Sequence, residues 1–181
     1  MKLPNGVSFL GNVALPSELY IRQAYDDLHK LIHITYSSRN AFLVTGNPGV
    51  GKSFFALDEL DYLLKEIVDK KSNAAIVYES VPFELSLLLR ADSMEVLKYA
   101  EQPLEMSEST TYYLFDAGTK KGVTPAIKNG KTIVFSSPSV RNYQDWKKQC
   151  FPQTFYKPLE SLEELWVFCT ERSKEDIESS Y

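Results

Sequence analysis

The sequence predicts an α/β fold in which a parallel sheet carries helices on both faces, and three observations support this. Short apolar runs of strand length recur along the chain, amphipathic stretches of helical spacing lie between them, and a glycine-rich loop joins the first strand to the helix after it. Residues 1 to 16 mix Gly and Pro with scattered apolar positions and read as an extended arm laid on a core. From Ser17, an N-cap residue type, Ile21, Ala24, Leu28, Leu31 and Ile32 recur at helical spacing, so residues 18 to about 37 read as one amphipathic helix. Ala41-Phe42-Leu43-Val44-Thr45 is the apolar run of a buried parallel strand. Beyond the glycine loop, Leu57, Leu60, Leu64, Ile67 and Val68 form a second helical stripe that ends at Asp69-Lys70-Lys71.

Ala74 to Glu79, Tyr112 to Phe115 and Thr132 to Phe135 are the second, third and fourth strands, each bounded by turn residues. Between them, Leu85 to Leu89 fits strand or helix, and Ser93 to Ala100 reads as helical. Thr154-Phe155-Tyr156 is a fifth short strand, and the capping box Ser161-Leu162-Glu163-Glu164 opens a last helix along Leu165, Trp166 and Phe168. The expected organisation is an arm over 1 to 16, one domain over 17 to 172 and a polar tail over 173 to 181.

Composition removes several classes of function. With 181 residues, 44% of them hydrophobic, the chain can bury a core, and a disordered tail is excluded. Its 20 basic and 24 acidic side chains leave a net charge of −4, which gives no basis for attraction to a nucleic-acid backbone. Lys70-Lys71, Lys120-Lys121 and Lys147-Lys148 are isolated pairs, so the 11 Tyr and 10 Phe are read as core residues rather than base-stacking platforms. Cys150 and Cys169 belong to no metal-ligand or disulfide pattern and read as free thiols of a reducing compartment. No stretch approaches the roughly 20 apolar residues that span a bilayer, and Met1 to Gly6 lack the core of a secretory signal. A soluble intracellular protein without a membrane partner is expected.

Gly46-Asn47-Pro48-Gly49-Val50-Gly51-Lys52-Ser53 satisfies G-x-x-x-x-G-K-[ST] at every position. Such a match arises by chance on the order of once per hundred chains of this length, and here a strand precedes it and a helix follows. Glycines let consecutive N–H groups turn inward around a phosphate, and the start of the helix adds orphan donors and its positive end. Lys52 can reach the outer phosphates of a nucleotide, the Ser53 hydroxyl can ligate Mg²⁺, and Phe54 follows directly. A second acid for the metal is expected at the end of a neighbouring strand, and Asp116 closes Tyr112-Tyr113-Leu114-Phe115. A turn aspartate in Asp116-Ala117-Gly118 is the alternative.

No glutamate follows Asp116, so spacing assigns no general base. Glu79, at the carboxyl end of the second strand, is the substitute, because open α/β sheets place ligands along that edge; a solvated strand end is the plainer reading. Ser136 and Ser137 end the fourth strand before Pro138, where Ser137 could touch the outer phosphate or the attacking water, although such a strand exit is also ordinary turn chemistry. Arg141 could reach phosphate, or a neighbouring subunit in a homo-oligomer, although a surface arginine at the start of a helix is the plainer reading. His29 and His33 lie four apart on the first helix, a metal-binding spacing, but with no third ligand in view a solvated or packing pair is the plainer reading.

Taken together, the chain resembles the ATPase segment shared by Crinkler-type effectors and retrotransposon hot spot (RHS) proteins. The residues concerned are Phe42-Leu43-Val44-Thr45 into Gly46 to Ser53 and Phe54-Phe55, then Ala75-Ile76-Val77-Tyr78-Glu79-Ser80, and Tyr113-Leu114-Phe115-Asp116. Ser136-Ser137-Pro138-Ser139 with Asn142-Tyr143, and Phe155-Tyr156 with Ser161 to Leu165, complete the series over about residues 18 to 168. The resemblance implies a three-layer P-loop NTPase fold of the AAA-like (ASCE) branch. Counting the five strands in chain order, it implies the spatial order 5-1-4-3-2, with ATP and Mg²⁺ bound at the loop. Relatives continue after the Glu163-Glu164 helix into a helical lid that has no counterpart here, and Glu160 stands where they tend to carry an aromatic residue. Many act in nuclei. The expected activity is Mg-dependent binding and slow hydrolysis of ATP or another NTP, with water directed by Glu79 or Ser137. The rivals are a nucleotide-dependent switch that a protein partner reads, and a small-acceptor kinase, which would need an arginine-bearing lid.

Overall fold

The computed structural model describes residues 4, 7–11, 15, 17–90, 92–93, 95–118, 125–126, 129–139 and 143–158. The last helix and polar tail expected after residue 160, and Arg141 and Asn142, lie outside them. Among the described residues the elements run α1 (Gln23–Thr35), β1 (Ala41–Thr45), α2 (Lys52–Asp69), β2 (Ala75–Ser80), β3 (Leu85–Arg90) and β4 (Glu95–Lys98). They continue as β5 (Tyr112–Gly118), β6 (Lys131–Ser136), α3 (Gln144–Cys150) and β7 (Gln153–Tyr156), with short 3-10 turns at Phe9–Gly11 and Leu104–Ser107.

The strands form one mixed, mostly parallel sheet in the order β4-β3-β2-β5-β6-β1-β7. It differs from the five-strand expectation in having seven strands: β3 and β4 extend the sheet beyond β2 as antiparallel partners. The parallel strands run in the order β7-β1-β6-β5-β2. Ser93 to Ala100 is therefore not helical: its centre, Glu95–Lys98, pairs with Leu87 to Arg90. As a short solvated edge strand, with all four residues exposed, it shows no burial pattern that sequence could reveal. Leu85 to Leu89 is a strand whose leucines face both sides of the sheet, which removes the alternation of a half-buried strand.

Two apolar layers sandwich the sheet. Phe42, Val44, Ile76, Tyr78, Leu114, Ile133 and Phe135 pack against α1 and α2, where Leu28, Ile32, Phe55, Leu60 and Leu63 are buried. Phe9 and Leu15 of the N-terminal arm join the same layer. On the opposite face Leu43, Val77, Tyr113, Phe115 and Val134 meet Met106 and, from the α3 side, Tyr143 and Trp146. Layer assignment thus alternates residue by residue along each strand.

The first helix starts later than the sequence suggests. Residue 22, not Ser17, is its N-cap, with extended backbone (φ −89°, ψ 149°) and no side-chain cap. The Arg22 guanidinium is engaged elsewhere, as described below. No helix among the described residues is long and apolar enough to cross a membrane.

Candidate functional site

The carboxyl ends of the parallel strands meet along one rim. Register pairs Thr45 of β1 with Ser136 of β6, Ser136 with Gly118 of β5, and Asp116 of β5 with Ser80 of β2. The Gly46–Ser53 loop leaves β1 at this rim and turns into α2, whose N-cap Gly51 takes the left-handed conformation (φ 79°) that glycine tolerates best. No side chain caps the helix, so the orphan donors of its first turn face the loop rather than a capping oxygen.

Three side chains behind the loop hold its shape. Arg22, 4% exposed, donates from Nη1 to the Val50 carbonyl at 3.1 Å, and the Lys157 ammonium donates to the same oxygen. The Tyr25 hydroxyl donates to the Gly51 carbonyl at 3.2 Å, and Lys157 Nζ lies 4.7 Å from the centre of the Tyr25 ring. Because β7 runs parallel to β1, the chain leaving Tyr156 lies against the chain leaving Thr45, and Lys157 N donates to Thr45 O at 2.7 Å. A Cβ on Gly46 would stand 2.8 Å from Lys157 O, so only glycine fits there. The carbonyls of Val50 and Gly51 are thus held from the side of Arg22, Tyr25 and Lys157.

In front of the loop is a cavity of about 250 Å³ lined by Pro48, Gly49, Gly51, Lys52, Ser53, Phe54, Asp116, Gly118, Ser136 and Ser137. Lys52 Nζ donates to the carbonyls of Gly46 and Asn47, both at 2.8 Å. Partial burial lowers the Lys52 ammonium below its ordinary range, and the charge of Asp116 opposes that shift. Gly46, Asn47 and Val50 thus contribute backbone groups, and Val50 packs its side chain inside at 4% exposed.

Asp116 is buried at 1% exposed, on the α2 face of the sheet with Leu114. Ser80 Oγ donates to Asp116 Oδ2 and the Gly118 N–H to Oδ1, each at 3.2 Å, and the nearby Ser53 hydroxyl favours the ionised form of the same carboxyl group. Burial raises the Asp116 carboxyl above its ordinary range, and the bonds from Ser53, Gly118 and Ser80 pull it partly back. The structure therefore brings together Lys52, Ser53, Phe54, Asp116 and Ser137. It adds Ser136, whose buried Oγ has no hydrogen-bond partner among the described residues.

Glu79 is not brought to this cavity. It alternates with Ser80 and points with Val77 to the opposite layer, where Tyr99 Oη donates to its Oε1 at 2.6 Å and Tyr113 Oη to its Oε2 at 2.7 Å. Burial, followed by the neighbouring carboxylate, pushes both phenols far above their ordinary range, so they remain donors. The expectation that Glu79 directs a water at the loop is not supported by this geometry, because Tyr99 and Tyr113 hold its carboxylate and it does not line the cavity. Asp116 is the only carboxylate among the described residues that line the cavity.

Sequence reasoning missed Arg22, Tyr25, Lys157 and Ser80 as parts of the site. The register of a strand beside β1 would have flagged Lys157, and the parity of β2 would have chosen Ser80 over Glu79. Arg22 and Tyr25 precede and open a helix in another part of the chain, and nothing local to them signals the loop.

The donor set suits a triphosphate with a hard cation. Ser53 and Asp116 offer oxygen ligands side by side, Lys52 offers a mobile cation, and the orphaned Ser136 hydroxyl offers a hydrogen bond. Comparison of the chain with protein-family models, with curated proteins and with solved structures gave no match.

Proposed function

We propose that the chain is a P-loop NTPase domain of the Crinkler/RHS type that binds ATP with Mg²⁺ and hydrolyses it slowly. The observation that carries this reading is the convergence of Lys52, Ser53 and Asp116 in one cavity at a glycine loop whose Val50 and Gly51 carbonyls are held by Arg22, Lys157 and Tyr25. The loop amides and the start of α2 hold phosphate oxygens. Lys52 exchanges its two loop carbonyls for phosphate and follows charge as it shifts between the outer phosphates. Ser53 and Asp116 are the residues that would hold Mg²⁺, which when bound supplies charge neutralisation at the transferring phosphoryl group. Ser136 and Ser137, on the far wall, orient the attacking water by hydrogen bonds, and Phe54 flanks the opening. The choice of ATP follows from the resemblance alone.

A second reading, a nucleotide-dependent switch with little or no turnover, is favoured by one specific feature: no carboxylate besides Asp116 lines the cavity among the described residues. Serine hydroxyls position a water without accepting its proton effectively at neutral pH. The two readings separate in one experiment. ATP and GTP are titrated with Mg²⁺ during thermal unfolding, and phosphate release is measured for the native chain and Lys52→Ala. At 100 times its Kd a ligand stabilises the fold by about 2.7 kcal/mol. Such a shift with ATP, together with slow release lost in Lys52→Ala, supports the ATPase. The same shift without release supports the switch, and no shift with either nucleotide overturns both.

A further inference from the structure

Two turns along α2 from the phosphate loop, the helix buries a polar cluster against α1. Glu59 is wholly buried and faces two histidines: His29 Nδ1 lies 2.5 Å from its Oε2 and His33 Nε2 lies 3.1 Å from its Oε1. Each histidine turns its other ring nitrogen to a further carboxylate of α2. His29 Nε2 is 2.8 Å from Asp58 Oδ2, and His33 Nδ1 is 3.4 Å from Glu66 Oε2. Tyr36 Oη donates to Glu59 Oε1 at 3.2 Å, and the Tyr62 ring packs 4.7 Å from His29 and 4.5 Å from His33.

We propose that His29 Nδ1, His33 Nε2 and the Glu59 carboxylate form a zinc site that clamps α1 to α2. One donor atom from each of the three lies within 4.8 Å of the others. Zinc bonds of about 2.0–2.1 Å in tetrahedral geometry space their donors by roughly 3.3 Å. Glu59 meets His33 through Oε1 at 3.1 Å and His29 through Oε2 at 2.5 Å, so its carboxylate faces both rings and small side-chain rotations bring three donors to that spacing. The outer carboxylates matter as much as the inner one. A zinc-bound imidazole characteristically donates its second N–H to a carboxylate, and Asp58 and Glu66 stand in that place for His29 and His33.

Charge points the same way. Three carboxylates, those of Asp58, Glu59 and Glu66, converge on two imidazoles, and a divalent cation balances that set better than one extra proton. Two nitrogen donors select zinc and its transition-metal neighbours over Mg²⁺, so the site is chemically distinct from the one at Ser53 and Asp116. The His33 side chain is 15% exposed and provides the entry, and a water completes the fourth position. The consequence is mechanical: α1 carries Tyr25 and follows directly from Arg22, both bonded to the back of the phosphate loop, so fixing α1 on α2 fixes the loop.

The test uses the full chain, stripped with a chelator, dialysed and titrated with Zn²⁺ against a chromophoric competitor. One zinc per chain is expected, with a rise in Tm that chelation reverses, and Co²⁺ in its place gives the intense visible absorption of a four-coordinate site. His33→Ala and Glu59→Gln abolish uptake, while Asp58→Asn weakens it roughly 10- to 100-fold by loosening His29. If Glu59→Gln does not fold, the partly exposed His33→Ala still decides. Failure of the native chain to take up one equivalent, or uptake and cobalt absorption unchanged in His33→Ala, overturns the proposal.

Discussion

The glycine loop and the histidine cluster share helix α2 but are built in opposite ways. At the N-terminus of α2 one run of eight consecutive residues supplies the loop, and most of them line a cavity completed by Asp116, Ser136 and Ser137. In its middle the functional groups come from two helices, with His29 facing Asp58 and Glu59 across 29 and 30 residues of chain, and they are buried. The first site keeps polar groups ready for a ligand. The second uses them on one another: burial lowers the affinity of His29 for a proton, yet the bonds to Asp58 and Glu59 outweigh it and push its pKa up to about 9. A site built from a local motif can vary in its surroundings and keep its chemistry, whereas a site built across helices exists only while both helices are docked.

That contrast is broken most directly at Phe55, one turn into α2, whose ring packs 5.2 Å from Tyr25, 5.1 Å from His29 and 5.8 Å from Phe135. Phe55→Ala is expected to cost about 3–5 kcal/mol in urea unfolding. It should weaken nucleotide binding and loosen the histidine cluster together, because the ring supports both. Loss of one property with the other intact would show that the two ends of α2 are mechanically independent. Lys52→Ala comes next and acts at one end only. Removing a charged donor costs about 1.5–3 kcal/mol of binding, so ATP affinity falls by roughly 10- to 100-fold while the Tm of the nucleotide-free chain barely moves. A loss of stability as large as the loss of affinity would mean that Lys52 mainly holds the loop carbonyls of Gly46 and Asn47 in place.

The same contrast explains what could be read in advance. Gly46 to Ser53 is legible because its chemistry depends on contiguous residues, and Asp116 because a strand-end acid needs only the strand to be recognised. Parallel strands of Val, Ile, Leu and Phe are legible for the same local reason. Strand β4 is not, since Glu95-Val96-Leu97-Lys98 borrows its conformation from pairing with β3. The helical spacing of His29 and His33 is visible in sequence, but nothing there sets Asp58, Glu59 and Glu66 apart from other acids of an amphipathic helix. Only the docking of α1 turns them inward. Lys157 is hidden likewise: its role follows from β7 lying beside β1, a register that no local pattern records.

Asp116→Asn sharpens the comparison through stability. The carboxyl is buried without a full set of strong donors, and burial raises its pKa, so its charge is carried at a cost to the fold. Asparagine keeps the shape and an oxygen for the Ser80 hydroxyl. The variant is expected to be more stable by about 0.5–2 kcal/mol, as is common when a functional group that strains the fold is removed, and to lose the Mg²⁺ dependence of nucleotide binding. The buried charges at Asp58 and Glu59 are paired, so the corresponding amides there should destabilise. Urea titrations of Asp116→Asn and Asp58→Asn side by side check the sign, and a stabilised Asp58→Asn would erase the distinction between the two sites.

The smallest effect is expected at Glu79, where position along a strand and side-chain direction disagree. By position it sits one residue from Ser80, which bonds Asp116; by direction it belongs to the layer of Val77, Tyr113 and Phe115. Two phenols donate to its carboxylate, and Glu79→Gln keeps the shape while weakening at least one of those bonds, which makes a loss of about 1 kcal/mol in stability reasonable. Phosphate release and ATP affinity should stay within about twofold of the native values, since an effect smaller than about 0.4 kcal/mol on the cavity is all that a side chain on the opposite face can exert. If turnover instead falls by an order of magnitude with affinity unchanged, Glu79 acts on the reaction although it does not line the cavity, through the strand end it shares with Ser80.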